Sequence, residues 1–282
     1  MVNRYKTISP EPPPDSYVKS VLNDSHGSAS NRYFDDILPM GECEVRDALM
    51  GEVKRHRYWK SSAFKKMQFE RLEMLSCLHY VLESFTEARS TSEATEAVTP
   101  GQLLDQATTS IQNPWDYEVL PSSMFTDQVR VLEMPGSSTI NPCSACNSEG
   151  TYHCFHCRGL GTDKCNFCSK TERSEFFTEC EVPEKLLTHA PGKEIFSEEQ
   201  PYVLPITKYH VQEINEKSKL FCAEHLQNSM GMCRVIRQRH CLVAIPVCKV
   251  FYSLGNTKGT FFVYGNDRQC YVPNFPSKCV IL

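Results

Sequence analysis

The run Cys77-Leu78-His79-Tyr80-Val81-Leu82-Glu83-Ser84-Phe85 sets Leu78, Tyr80 and Leu82 in alternation with Cys77, His79 and Val81. With Phe85 after them they make a dense apolar run that reads as a strand. Cys77 and His79 are read as strand packing, since nothing nearby in sequence supplies a matching ligand pair. Working outward, a weaker strand is expected about Phe64 to Leu72, and residues 89–113, rich in Ser, Thr, Ala and Gln, read as a polar loop. Further strands are expected through Trp115, Tyr117 and Val119, and from Val129 to Met134, where Pro135-Gly136 breaks the pattern.

Helical spacing occurs twice. Val45, Ala48, Leu49 and Val53 predict a helix over 42–56, and Val211, Ile214, Phe221 and Leu226 predict the buried face of one over 211–230. After it, Cys241 to Tyr252, a turn through Gly255-Asn256-Thr257-Lys258-Gly259, Thr260 to Tyr264 and Cys270-Tyr271 form a strand-rich tail. The expected fold is α+β, with mixed strands and two main helices in one body and a small cysteine-rich β-hairpin zinc module inserted. The expected division is a Pro-rich disordered leader over 1–40, the two parts of the body over 41–142 and 181–272, the hairpin over 143–180 and an extended tail over 273–282.

The chain has 282 residues, a hydrophobic content of 40%, a net charge of −4 and a pI near 6.2. These values favour a globular body and give no bulk attraction to nucleic acid or anionic membrane. No apolar run approaches the length of a membrane span and the first residues lack a signal sequence, so the expected location is the cytoplasm or the nucleus. There the fifteen cysteines are reduced thiols and metal ligands rather than disulfides, and the sequon Asn23-Asp24-Ser25 is set aside as chance.

Three CxxC pairs repeat every eleven residues: Cys143/Cys146, Cys154/Cys157 and Cys165/Cys168. Two such pairs complete a tetrahedral thiolate shell around Zn2+. The second repeat, Cys154-Phe155-His156-Cys157-Arg158-Gly159-Leu160-Gly161, fits CxxCxGxG in full; the first keeps only Gly150 and the third neither glycine. Three arrangements are open. Cys154, Cys157, Cys165 and Cys168 share one zinc; Cys143 and Cys146 recruit Cys180 with His153 or His189; or two chains complete each other's sites as a dimer. The first needs no partner and is the expected one, so a second zinc site lacks a full ligand set and Cys180 is its further ligand candidate.

The CxxCxGxG pattern resembles the cysteine-rich zinc domain of DnaJ co-chaperones, an extended hairpin in which distant repeats pair to hold zinc. The His-Pro-Asp tripeptide of a J-domain and a Gly/Phe-rich linker are absent. A closer resemblance is to the ssu-two homologue family, carried by Trp115-Asp116 with Met124-Phe125, by Val182-Pro183-Glu184-Lys185-Leu186-Leu187 and by Phe262-Val263-Tyr264-Gly265-Asn266-Asp267-Arg268-Gln269. That resemblance implies a CxxC array between two flanks. Family members carry an even number of repeats, whereas here the returning arm is reduced to Cys180.

These features imply a non-enzymatic protein-binding or chaperone-associated scaffold whose partner is a protein or client. Its first rival is thiol-disulfide chemistry at a CxxC pair, since His156 precedes Cys157 and could lower a thiol pKa. The second is nucleic-acid binding through zinc knuckles, but over 143–180 four basic residues face five acidic ones, where a phosphate-tracking surface needs clustered positive charge. No nucleophile elbow, P-loop, HExxH helix or dinucleotide fingerprint occurs. The ending Cys279-Val280-Ile281-Leu282 matches a CaaX box with a terminal Leu that favours geranylgeranyl, so membrane attachment is expected only if Cys279 is prenylated.

Overall fold

The computed structural model describes residues 40–57, 59, 61–95, 113–116, 118–134 and 161–274. Two long strands organise them. β1 (Gln68–Thr95, 28 residues) and β5 (Arg234–Leu254, 21 residues) run antiparallel, and β3 (Gly161–Phe177) lies on the other side of β1. β2 (Gln128–Glu133) adds to the far side of β3. Beyond β5, β4 (Lys193–Gln200) pairs with its first half and β6 (Thr257–Tyr264) with its second, and β7 (Gln269–Tyr271) follows β6. Every described pairing is antiparallel, and the sheet curls into a half-barrel.

The α+β class with two main helices and an inserted cysteine-rich hairpin module is therefore corrected to a mostly β fold, in which Gly161–Phe177 of the expected hairpin is a strand of the main sheet. Both helices exist, α1 (Glu42–Arg55) and α4 (Gln212–Ser229), but each is a cover on one continuous sheet. The physical reason lies in β1. The part of it from Arg89 on, expected to belong to a polar loop over 89–113, stays extended because β3 pairs with it as far as Thr95. Arg89, fully buried there, donates to Glu87 at 2.8 Å and its guanidinium lies 4.7 Å from the ring centres of both Trp115 and Phe167. That cation–π sandwich fixes a 3-10 turn, Pro114–Asp116, where a strand was expected. Phe64, expected to begin a strand, lies instead in the short helix α2 (Ser61–Lys66).

Even-numbered residues of β1 and β5 share one face, as period two demands. At one end of it, Val45, Leu49 and Val53 of α1 pack on Cys248, Val250 and Tyr252, with Phe261 and Val263 from β6. At the other, Ile214 of α4 packs on Leu78, Tyr80, Leu82, Leu242 and Ala244. The opposite face carries Cys77, Ile245 and Val247, covered by Val182, Ala190 and Leu187 from the segment around α3 (Glu184–Leu187). The β5–β6 hairpin turns in two residues, with Gly255 at φ +60° where a side chain would be strained.

Candidate functional site

The strands end at different places, and this opens a site. β3 leaves β1 at the His79–Phe177 pair, so among the described residues the stretch Gln68–Cys77 of β1 pairs with β5 alone. Its free edge presents main-chain donors and acceptors in a row. Arg71, Leu75 and Ser76 are exposed there, Leu75 to 45%. Beside this edge lies a cleft of about 850 Å³. Its floor is Met74, Leu78, Ile195 and Ala244, its far wall is Tyr209 to Glu213 at the start of α4, and Thr178 and Glu179 stand at its end. A hollow of about 400 Å³ adjoins it and shares Glu179 and Glu213, with Phe176, Phe177, Glu216 and Lys217 around it. The floor is apolar and the rim is mainly acidic: Glu179, Glu213 and Glu216 against Lys217.

Beneath α4 the contact with the sheet is polar. Tyr80 on β1 shares a hydrogen bond with Ser218 at 2.8 Å and meets His240 Nδ1 at 3.1 Å. Ser84 lies 2.7 Å from His225 Nδ1, and Ser174 on β3 lies 2.9 Å from Nε2. Gln238 Nε2 donates to Ser84 Oγ at 2.8 Å, and Gln238 Oε1 accepts from the Val203 amide at 3.1 Å. Each ring nitrogen of His225 therefore has a hydroxyl partner, and Ser84 joins the ring to Gln238. Burial lowers the His225 pKa against the pull of Glu172 and Glu224, so the ring is held neutral. A serine, a histidine and a carboxylate 3.9 Å from the ring are met here, yet Ser84 and His225 are both wholly buried, and their geometry rivets helix to sheet.

On the opposite face Glu83 accepts from Arg239 at 2.6 Å and from Arg173 at 2.9 Å. Burial pushes its carboxyl up, but the two guanidinium groups more than offset this and leave it below the ordinary carboxylate value. His79 stacks on Phe177 with ring centres 4.0 Å apart.

The cysteines proposed as ligands divide. Cys143, Cys146, Cys154 and Cys157 lie outside the described residues, as do His153 and the CaaX residue Cys279. Cys165 and Cys168 are in β3, opposite Thr91 and Ala88 of β1 and opposite Leu132 and Val129 of β2. Cys180 lies beyond β3, half-buried, while His189 is exposed. Among the described residues no three His, Cys, Asp or Glu side chains converge as a metal shell would need. The β1 edge was not foreseen from the sequence. It depends on where β3 stops, and no local pattern carries that.

No family model matches the chain, and no solved structure matches it. Among characterised sequences, the Protein SSUH2 homolog of Danio rerio is 23% identical over 86% of this chain and 82% of its own length. That of Homo sapiens is 23% identical over 85% of this chain and 78% of its own. That of Mus musculus is 28% identical over 38% of this chain and 32% of its own. These likenesses agree with the ssu-two homologue resemblance read from the sequence. Over most of its length, then, what this chain is similar to is the SSUH2 homologue family.

Proposed function

We propose that this chain is a non-catalytic protein-binding scaffold that takes an extended, basic segment of a partner protein along the free edge of β1. The observation that carries the reading is the overhang of β1 past β3 beside an apolar, acid-rimmed cleft. An added strand satisfies the unpaired main-chain groups of Gln68–Cys77, one set of its alternate side chains enters the cleft, and basic residues meet Glu179, Glu213 and Glu216. The CxxC array is read beside this as zinc-binding, with one Zn2+ held by Cys154, Cys157, Cys165 and Cys168.

Two measurements test the two parts. A fluorescein-labelled peptide of alternating Lys and Val is titrated with the full chain by anisotropy, against the same peptide with Glu in place of Lys. The reading expects binding of the first, little of the second, and loss on Leu75→Arg; equal binding of both peptides, or none of either, overturns it. For the array, elemental analysis of reduced full-length protein should return zinc, and the amount should fall on Cys154→Ser. Zinc-free protein overturns that part alone.

A further inference from the structure

Main-chain geometry decides which groups of the β1 edge are open. The Leu78 amide donates to Thr178 Oγ1 at 2.9 Å, and the Leu78 carbonyl accepts from the Thr178 amide at 3.0 Å. Leu78 therefore turns both groups away from β5, and in an antiparallel ladder every second residue does the same. The pairing of β1 with β5 is regular over residues 71–78, so Leu72, Met74 and Ser76 each offer an N–H and a C=O along this edge. Thr178 closes the β3 end with its side chain, and among the described residues no strand follows it on β1. Met74 and Leu78 line the cleft, so a strand laid here sends every second side chain over it, toward the exposed Glu179, Glu213 and Glu216.

The chain itself carries a segment of matching chemistry. Val2-Asn3-Arg4-Tyr5-Lys6-Thr7-Ile8 alternates Val2, Arg4, Lys6 and Ile8 with Asn3, Tyr5 and Thr7, and holds no carboxylate. Val, Tyr, Thr and Ile favour a strand, and Pro10, which has no N–H to give a ladder, sets its end. The other long segments beyond the described residues lack such a pair of bases. Residues 96–112 have no Lys or Arg, 135–160 have Arg158 alone, and 275–282 have Lys278 alone, after Pro276. Lys19 and Arg32 stand far apart. Reach is no obstacle. Met40 packs against the apolar cluster under α1, and Met74 touches that cluster and lines the cleft, so the chain joins the sheet beside the site. The thirty-two residues from Ile8 to Met40 span up to about 100 Å when extended.

We propose that residues 2–8 are the resident strand of the β1 edge, paired with Leu72, Met74 and Ser76 and with Arg4 and Lys6 against the acidic rim, and that a partner binds by displacing them. This rests on strand addition at the same edge and adds that the site is filled in cis. A tether of this kind gives an effective concentration of about 1 mM. A segment whose free peptide has a Kd of about 0.1 mM then fills the edge about nine-tenths of the time, and the apparent affinity for a partner falls about tenfold.

The test compares the full chain with its Arg4→Glu/Lys6→Glu variant and with Lys19→Glu, which lies outside the segment. Hydrogen exchange at residues 72–76 should be about tenfold faster in the double variant, and the labelled Lys/Val peptide should bind that variant about tenfold more tightly. Lys19→Glu should match the unchanged chain in both readouts. An unlabelled peptide of residues 1–9 should displace the Lys/Val peptide from the double variant. Equal exchange and equal affinity in all three forms overturn the resident strand and leave the cleft reading standing, whereas no Lys/Val binding to any form removes both. Protection of residues 72–76 that is lost on dilution assigns the strand to a second copy of the chain and overturns the proposal in cis.

Discussion

α1 and α4 cover the same face of one sheet and are held there by opposite means. Under α1 the contact is apolar: Val45, Leu49 and Val53, at successive intervals of four, bury against Cys248, Val250, Tyr252, Phe261 and Val263. Under α4 only Ile214 is a buried apolar residue of the helix, and Asn215, Ser218, His225 and Ser229 are the others turned inward. The difference is one of specificity. Apolar area holds a helix but tolerates sliding, whereas Ser218 and His225 meet particular atoms of Tyr80, Ser84 and Ser174. α4 also forms the wall of the cleft, so its position matters for the site as that of α1 does not.

The largest expected effect tests the apolar end. Leu49→Ala removes a wholly buried side chain from the α1 contact and should cost about 2–5 kcal/mol in denaturant unfolding. The next tests the polar end: His225→Ala strands the hydroxyls of Ser84 and Ser174 and should cost about 1–3 kcal/mol. If hydrogen exchange after this change rises across α1 as much as in α4, the two contacts are not independent and the comparison fails.

A smaller effect is set by pH. Burial lowers the folded-state pKa of His225 and also that of His79, where Glu175 opposes and Arg173 reinforces the shift. The unfolded chain then binds more protons, so stability is full above the unfolded value of about 6.5 and falls as the pH drops through it toward the folded values. Unfolding midpoints should decline on acidification, and less steeply in His225→Asn; an equal slope would remove the histidine from the account. The smallest effect is at the surface. Glu42→Gln breaks the exposed pair with Arg46 and should change stability by less than about 0.5 kcal/mol.

The contrast between the helices also explains what could be read from the chain. α1 was expected at 42–56 and runs Glu42–Arg55, because its stripe is apolar and helical periodicity counts apolar residues. α4 was located equally well, but Leu226, assigned to its buried face, is 38% exposed while His225 is sealed. A polar face that turns inward has the same pattern as one that turns to water. The strands show a second limit. The apolar run Cys77–Phe85 and the Gly255 hairpin were legible, whereas the stretch of β1 after Arg89 is extended only because β3 lies beside it. The candidate site was not legible at all, since it arises from the unequal lengths of β1 and β3.

Hydrogen exchange on the full chain with and without the Lys/Val peptide tests the central claim most directly. Strand addition predicts slower exchange at the amides of residues 70–76, with smaller changes at the start of α4. Peptide binding that leaves those amides unchanged and protects another surface would contradict it.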